Sequence, residues 1–193
     1  EILDPVVPPS LPAGWASVGV TTGGFNVPVW ATHAGTNHPS GGGAHSAPNV
    51  AFFNSYDTND GNSARLYTTS GVDLGTASSA QLTFWMYHDS GCASLVPSDR
   101  VQPQVSTNGG STWIDVGAAV NRYDGTTGWR QETVDLSAYA GNTDVRIGFL
   151  GMSRCCNDCH IDDVEVTAVL PLELTKSFTD DPVLPGDTVT LEF

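Results

Sequence analysis

Lysine is nearly missing from this chain. Lys176 is the only one, and seven Lys and Arg stand against 21 Asp and Glu, a formal net charge of −14. Such a surface repels nucleic-acid phosphates and anionic lipid headgroups, so no nucleic-acid partner and no charge-driven membrane attachment are expected. No run of about 18 apolar residues occurs, so no segment reads as a membrane-inserting helix. The chain has no His-Glu-x-x-His, Gly-x-Ser-x-Gly or Ser-x-x-Lys pattern and no phosphate-binding glycine loop. Asp162 and Asp163 are adjacent in a strand-like segment, so they point apart and do not flank one glycosidic bond as a hydrolase pair does. Together these gaps predict a protein that is not an enzyme. Asn-x-Ser/Thr sequons are absent too.

What is present is strand and turn material. Gly 21 and Pro 12 accompany frequent Ser, Thr and Val, with no long stretch of helix formers. That mixture predicts an all-β chain of short strands. Gln81–His88 alternates Leu82, Phe84 and Met86 with Thr83, Trp85 and Tyr87, apolar on both faces, as in a strand covered on two sides. Strands are also predicted around Val27–Ala31 and over Asn49–Asn54, Ala64–Thr69, Arg100–Thr107, Thr112–Val116, Trp129–Asp135 and Asp144–Leu150. Asn108-Gly109-Gly110-Ser111 supplies the positive-φ glycines of a tight hairpin. Pro103 lacks an amide donor, which predicts a free edge or bulge beside it. Ser137–Gly141 reads as a turn or a single helical turn. The character of the sequence changes at Val169-Leu170-Pro171, and new alternating segments follow at Leu172–Ser177 and Thr188–Phe193. Two strands do not close a sandwich, so residues 172–193 read as the start of a second β domain after a linker at 169–171. The chain begins at Glu1 rather than Met, as expected after removal of a signal peptide or for a fragment.

The order of these features carries a family resemblance. Leu11-Pro12-Ala13-Gly14-Trp15 opens the series, and Pro48-Asn49-Val50-Ala51-Phe52 follows. Then come the strand Ala80–Phe84, the Ser106–Trp113 hairpin, the Val134–Gly141 turn and the closing Ile161-Asp162-Asp163-Val164. Residues 1–168 thereby resemble the MAM-like jelly-roll modules of bacterial surface proteins, of the choice-of-anchor J or cleaved-adhesin type. The resemblance implies a jelly-roll β-sandwich of two antiparallel sheets. It departs from the family pattern at Cys155–His160, where an aromatic residue usually precedes the Ile-Asp-Asp strand. Residues 172–193, through Leu174-Thr175-Lys176 and Pro185–Val189, resemble the first strands of tandem immunoglobulin-like (Ig-like) surface repeats.

Asp162 is the leading candidate site residue. Strict alternation puts it on one row with Val164, Val166 and Ala168, where an unpaired carboxylate is costly. Calcium (Ca2+), which takes hard oxygen ligands, suits such a position, and backbone amides are the alternative partner. The resemblance implies a structural calcium where the first and last strands meet, with Asp4 and the Asn49 region as the other ligands. Asp163 is expected to be solvated. Asp57–Asn62 imitates a calcium loop, but its glycine is one place early and a strand follows, so it reads as a turn. Cys92, Cys155, Cys156 and Cys159 make an even set that suits disulfides in an oxidising compartment. A bridge between the neighbours Cys155 and Cys156 is disfavoured by strain, which leaves two pairings. A zinc site from the cysteines and His160 is the alternative. His33, His38 and His45 in the glycine-rich loop are a ligand patch or simply exposed. Trp30, Trp85, Trp113 and Trp129 are core residues or sugar-stacking faces.

The sequence therefore predicts a non-catalytic extracellular recognition or adhesion module of a secreted or cell-surface bacterial protein, binding a glycan or a protein. A spacer or filament subunit that self-associates by β-strand addition is the first alternative. An ancillary, carbohydrate-binding-like domain of a secreted peptidase or glycosidase is the second.

Overall fold

Period-two alternation builds the molecule, and the computed structural model describes residues 6–24, 26–172, 177–178, 185–186 and 191–192. The strands are β1 (Trp15–Thr21), β2 (Trp30–His33), β3 (Val50–Phe53), β4 (Ser63–Thr68), β5 (Ser79–His88), β6 (Arg100–Ser106), β7 (Ile114–Asp115), β8 (Val120–Asn121), β9 (Gly128–Asp135), β10 (Arg146–Met152) and β11 (Cys159–Val169). They form two antiparallel sheets. Sheet A runs β1-β4-β10-β6-β7, with β8 also on β6; sheet B runs β2-β3-β11-β5-β9. The expected jelly-roll sandwich is thus the observed fold. Ser137–Tyr139 makes a single 3-10 turn, as its sequence suggested. In the C-terminal segment, β12 (Ser177–Phe178) pairs with β13 (Leu191–Glu192), and the remainder of the predicted second unit lies outside the described residues.

The core lies between the sheets. Leu82, Phe84 and Met86 of β5 are fully buried, together with Phe53, Leu66, Phe149 and Ile161. Phe84 meets Phe149 edge-on at 5.0 Å, and the Trp30 indole donates to the Ala64 carbonyl at 2.9 Å. A Cβ on Gly151 would stand 2.4 Å from the Phe53 ring, so glycine is what lets β10 carry that ring. Gly109 and Gly110, at φ 70° and 88°, turn the Ser106–Trp113 hairpin as expected. Pro103 pairs with Phe149 on β10, and the strand on its other side is interrupted between β7 and β8. There the Gln102 side-chain amide donates to the carbonyls of Val116 and Gly117.

β9 is an edge strand with an unusual inner row. Val134 pairs with Leu82 and is buried, but Glu132 pairs with Phe84 and Arg130 with Met86. The sandwich therefore ends in charge on that side. At the same end, Arg122 is fully buried. Its guanidinium donates to the Asp89 carboxylate at 2.5 Å, the Gly91 carbonyl at 2.6 Å and the Asp99 carboxylate at 3.2 Å. Asp89 also accepts from Asn157, and Asp99 from Ser55 and the Arg154 amide. This network and a Cys92–Cys156 disulfide join the loops after β5 and β10.

Candidate functional site

The outer face of sheet B concentrates aromatic side chains. Trp85 and Tyr87 occupy the outward positions of β5, and cross-strand register sets Trp129 beside Tyr87 and Gln131 beside Trp85. On the other flank, β11 sets His160 beside Tyr87 and Asp162 beside Trp85. Tyr87 meets Trp129 edge-on at 5.4 Å, and all three aromatic residues are partly exposed.

The glycine-rich loop, residues 34–48, crosses this face as a strap. The Asn37 amide donates to His160 Nε2 at 3.0 Å, and the amides of His45 and Ser46 both donate to Asp162 Oδ2 at 3.0 Å. The His45 ring and the Ser46 hydroxyl contact the Asp163 carboxylate, and His38 contacts Asp158 at 3.3 Å. His45 stacks on Trp85 with ring centroids 3.7 Å apart, and His38 stacks on Tyr56 at 3.9 Å. A side chain at position 42 would strike Thr36 and the Tyr87 ring, so Gly42 lets the strap lie close.

Several expectations need correcting. Asp162 does not share the core row with Val164. A bulge between Asp162 and Glu165, with Asp163 at φ 46°, shifts the phase of β11, so Ile161 and Val164 both enter the core. Asp162 lies on the outer face and is buried beneath the strap, and its other oxygen accepts from the Asp163 amide at 2.9 Å. Burial pushes its carboxyl up to about 6, against the pull of these amides. Asp163, expected in solvent, holds the strap. Asn49 is buried and donates to the Val6 carbonyl at 2.9 Å. The β3–β11 register, Ala51 opposite Ile161, brings it to the level of the bulge. Asp4 lies outside the described residues.

Four oxidised cysteines were expected, but Cys92–Cys156 is the one bridge among the described residues. Cys155 is an exposed thiol and Cys159 a buried one. Cys159 points into the core from β11, and burial raises its thiol well above the ordinary value, which keeps it protonated. Among the described residues, no group of three or more His, Cys, Asp or Glu is placed to hold a metal ion. Of the tryptophans, Trp30 is core. Trp113 lies on the outer face of sheet A over Gly148, with Arg65 at 4.9 Å and Tyr67 at 5.7 Å. Sequence reasoning also missed the strap's histidines as ties. The signal was there, in His38 and His45 among the glycines, which meet Asp158 just before β11 and Asp163 within it.

The polar layer under the strap is strongly perturbed. His160 is depressed to about 3, by burial first and then by repulsion from His33 and His38. Asp158 is raised to about 6 by burial, against hydrogen bonds from the Tyr56 amide and His38.

The fold is shared with known modules. The K1 cleaved adhesin domain of Lys-gingipain from Porphyromonas gingivalis W83 is similar at a TM-score of 0.53 and 20% identity, over 82% of this chain and 92% of that one. A carbohydrate-binding module solved with β-1,4-galactotriose is similar at 0.50 and 14% identity, over 81% and 89% of the two chains. A cyclase from Fischerella sp. TAU, solved with an indolyl-butanone, is similar at 0.55 and 18% identity, over 86% and 89%. No protein-family model and no curated protein matches the chain.

Proposed function

We propose that this chain is a non-catalytic extracellular recognition module that receives a glycan on the Trp85–Tyr87–Trp129 face of sheet B. The observation that carries the reading is the convergence of these partly exposed rings on one sheet face beside Gln131. The strap's His45 ring stacks on Trp85 and stands edge-on to Trp129, so the glycan would pack at the rim of the strap on the ring surface that stays exposed. Aromatic faces pack against the apolar faces of sugar rings while nearby polar groups take their hydroxyls. The similarity to an adhesin domain and to a carbohydrate-binding module supports it, as does the motif order of the MAM-like, cleaved-adhesin type in residues 1–168. The disulfide supports an extracellular setting. The cyclase similarity leaves the reading in place, because a fold alone does not assign a reaction. A glycan array probed with the purified chain tests it. At least one glycan class is expected to be retained, and Trp85→Ala and Trp129→Ala are each expected to weaken retention by about tenfold, the equivalent of 1.4 kcal/mol. Retention unchanged in both variants would move the ligand elsewhere.

Calcium belongs to the same proposal. Asp162 and Asn49 lie at one end of sheet B where β3 meets the β11 bulge, and carboxylate and amide oxygens are the donor types Ca2+ takes. The amides already on Asp162 satisfy part of its demand, so the ion would add to the strap's anchorage rather than create it. Chelation is expected to lower the melting temperature, and Asp162→Ala to abolish that response. A melting curve indifferent to calcium and chelator in the wild type would remove the ion from the account.

Self-association by strand addition has one observation in its favour: the edge strand β1 exposes Val18 and Val20 at 44% and 46%. Sedimentation at rising concentration tests it, and a chain that stays monomeric excludes it.

A further inference from the structure

Where β9 ends the sandwich in charge, a cleft of about 310 Å³ opens between its inner row and the β8 segment, lined by Val120, Asn121, Asp124, Glu132 and Val134 among others. His88, the last residue of β5, stands behind it and is fully buried. Its Nδ1 lies 3.6 Å from the Asp124 carboxylate and its Nε2 lies 3.7 Å from Glu132. Neither ring nitrogen has a hydrogen-bond partner, and the buried Asn121 Oδ1 has none either. A neutral imidazole has one donor and one acceptor nitrogen, whereas carboxylates only accept. One ring nitrogen of neutral His88 therefore faces an acceptor and lacks a donor. Protonated, both nitrogens would donate, yet 3.6 and 3.7 Å exceed hydrogen-bond length. Asp124 takes the amide and hydroxyl of Thr126, whereas the Glu132 carboxylate takes no hydrogen bond among the described residues, so a donor to it must come from outside.

We propose that the cleft binds the protonated amine of an amino sugar. The proposal rests on the glycan reading above. The chemistry is a count of acceptors and charge. Asp124 and Glu132 both accept, and an ammonium group brings three donors and the positive charge that two carboxylates favour. A hydrogen bond from the Thr126 hydroxyl holds Asp124 below the usual carboxylate range, so it stays ionised. Arg130, on the same inner row, is the nearby competing cation and is exposed. The lining has no aromatic ring, so recognition here is by charge rather than by stacking.

Calorimetric titration of the whole chain at neutral pH, with glucosamine, N-acetylglucosamine and cadaverine, tests the site. Glucosamine is expected to bind saturably, N-acetylglucosamine at least about tenfold more weakly, and Asp124→Asn and Glu132→Gln each to weaken glucosamine by about tenfold or more. If either variant unfolds, the ring-nitrogen resonances of His88 in the wild type take its place, and they are expected to shift on adding glucosamine. No saturation with glucosamine at millimolar concentration, equal binding of the acetylated sugar, or indifference to both carboxylate substitutions overturns the proposal. So does cadaverine binding without glucosamine. Glucosamine binding that Trp85→Ala abolishes and Glu132→Gln leaves intact overturns the cleft alone and leaves the aromatic face standing. A blank array of neutral glycans, with glucosamine still held by Glu132, overturns the aromatic face and supports the cleft.

Discussion

Arg122→Met is expected to cost about 3–5 kcal/mol of folding stability, the loss typical when one partner of a buried ion network is removed. Methionine matches much of the volume but leaves Asp89 and Asp99 facing each other's charge without a cation. Asp99 is fully buried and Asp89 nearly so. The amides of Gly91 and Arg154 and the side chains of Asn157 and Ser55 would still serve those carboxylates, so the site stays hydrogen-bonded but no longer neutralised. Adding Asp89→Asn and Asp99→Asn to Arg122→Met is expected to recover a large part of the loss, because no uncompensated charge then remains inside. Urea denaturation of the single and triple variants measures both. A single variant that loses under about 1 kcal/mol would show that the guanidinium is dispensable.

Asp158→Asn is expected to change how stability follows pH. In the fold burial raises this carboxyl to about 6, from an ordinary 3.8. A raised folded-state value means the folded protein holds the proton more tightly than the unfolded chain. The contribution is therefore complete below about pH 4 and fades as pH rises through about 6. Two units at 1.36 kcal/mol each give about 3 kcal/mol at most. Asparagine keeps an oxygen for the Tyr56 amide and does not titrate. The wild type should thus fall behind the variant by up to about 3 kcal/mol between pH 4 and pH 7. Taking the difference between the two proteins removes the contribution of His160, which burial depresses and which acts in the opposite direction. A difference that stays flat across this range would contradict the assignment.

Much of the sandwich was legible because its strands obey simple rules. Leu82, Phe84 and Met86 alternate cleanly, and Val145, Ile147 and Phe149 do so on β10, with Val145 paired to Val72 just ahead of the strand. The Asn108–Ser111 turn named its own hairpin. β1 was missed because Trp15–Thr21 is an edge strand with small and exposed residues, so its pattern carries little apolar contrast. β8 is two residues long and offers no period to read. The site was harder. Asp162 was singled out correctly as a buried carboxylate but assigned to the wrong side, because alternation breaks at a bulge and no residue type announces one. The strap was invisible for a different reason: its bonds join residues more than 110 positions apart, such as Ser46 and Asp162. His88 gave no signal, since the carboxylates near it, Asp124 and Glu132, lie more than 30 positions away in the sequence.

The edges of the two sheets are not equivalent, and that asymmetry gives the module a direction. At β9, any strand laid alongside would bring its own inner row against Arg130 and Glu132 and strip their water, a cost that backbone pairing does not repay. At β2, the Thr32 amide is already taken by the Pro9 carbonyl and the Trp30 amide by the Ser17 hydroxyl. β1 carries no charged residue and exposes Val18 and Val20, and of its amides those of Trp15 and Thr21, at its two ends, are taken by the Pro12 carbonyl and the Ser63 hydroxyl. Copies crowded together, or repeated along one polypeptide, could meet through that flank. Two copies could pair their β1 strands across a twofold axis, and that flank would then be occupied in both. A pair joined at β1 is closed on that side, so open-ended growth would need the opposite edge of sheet A, at β7 and β8.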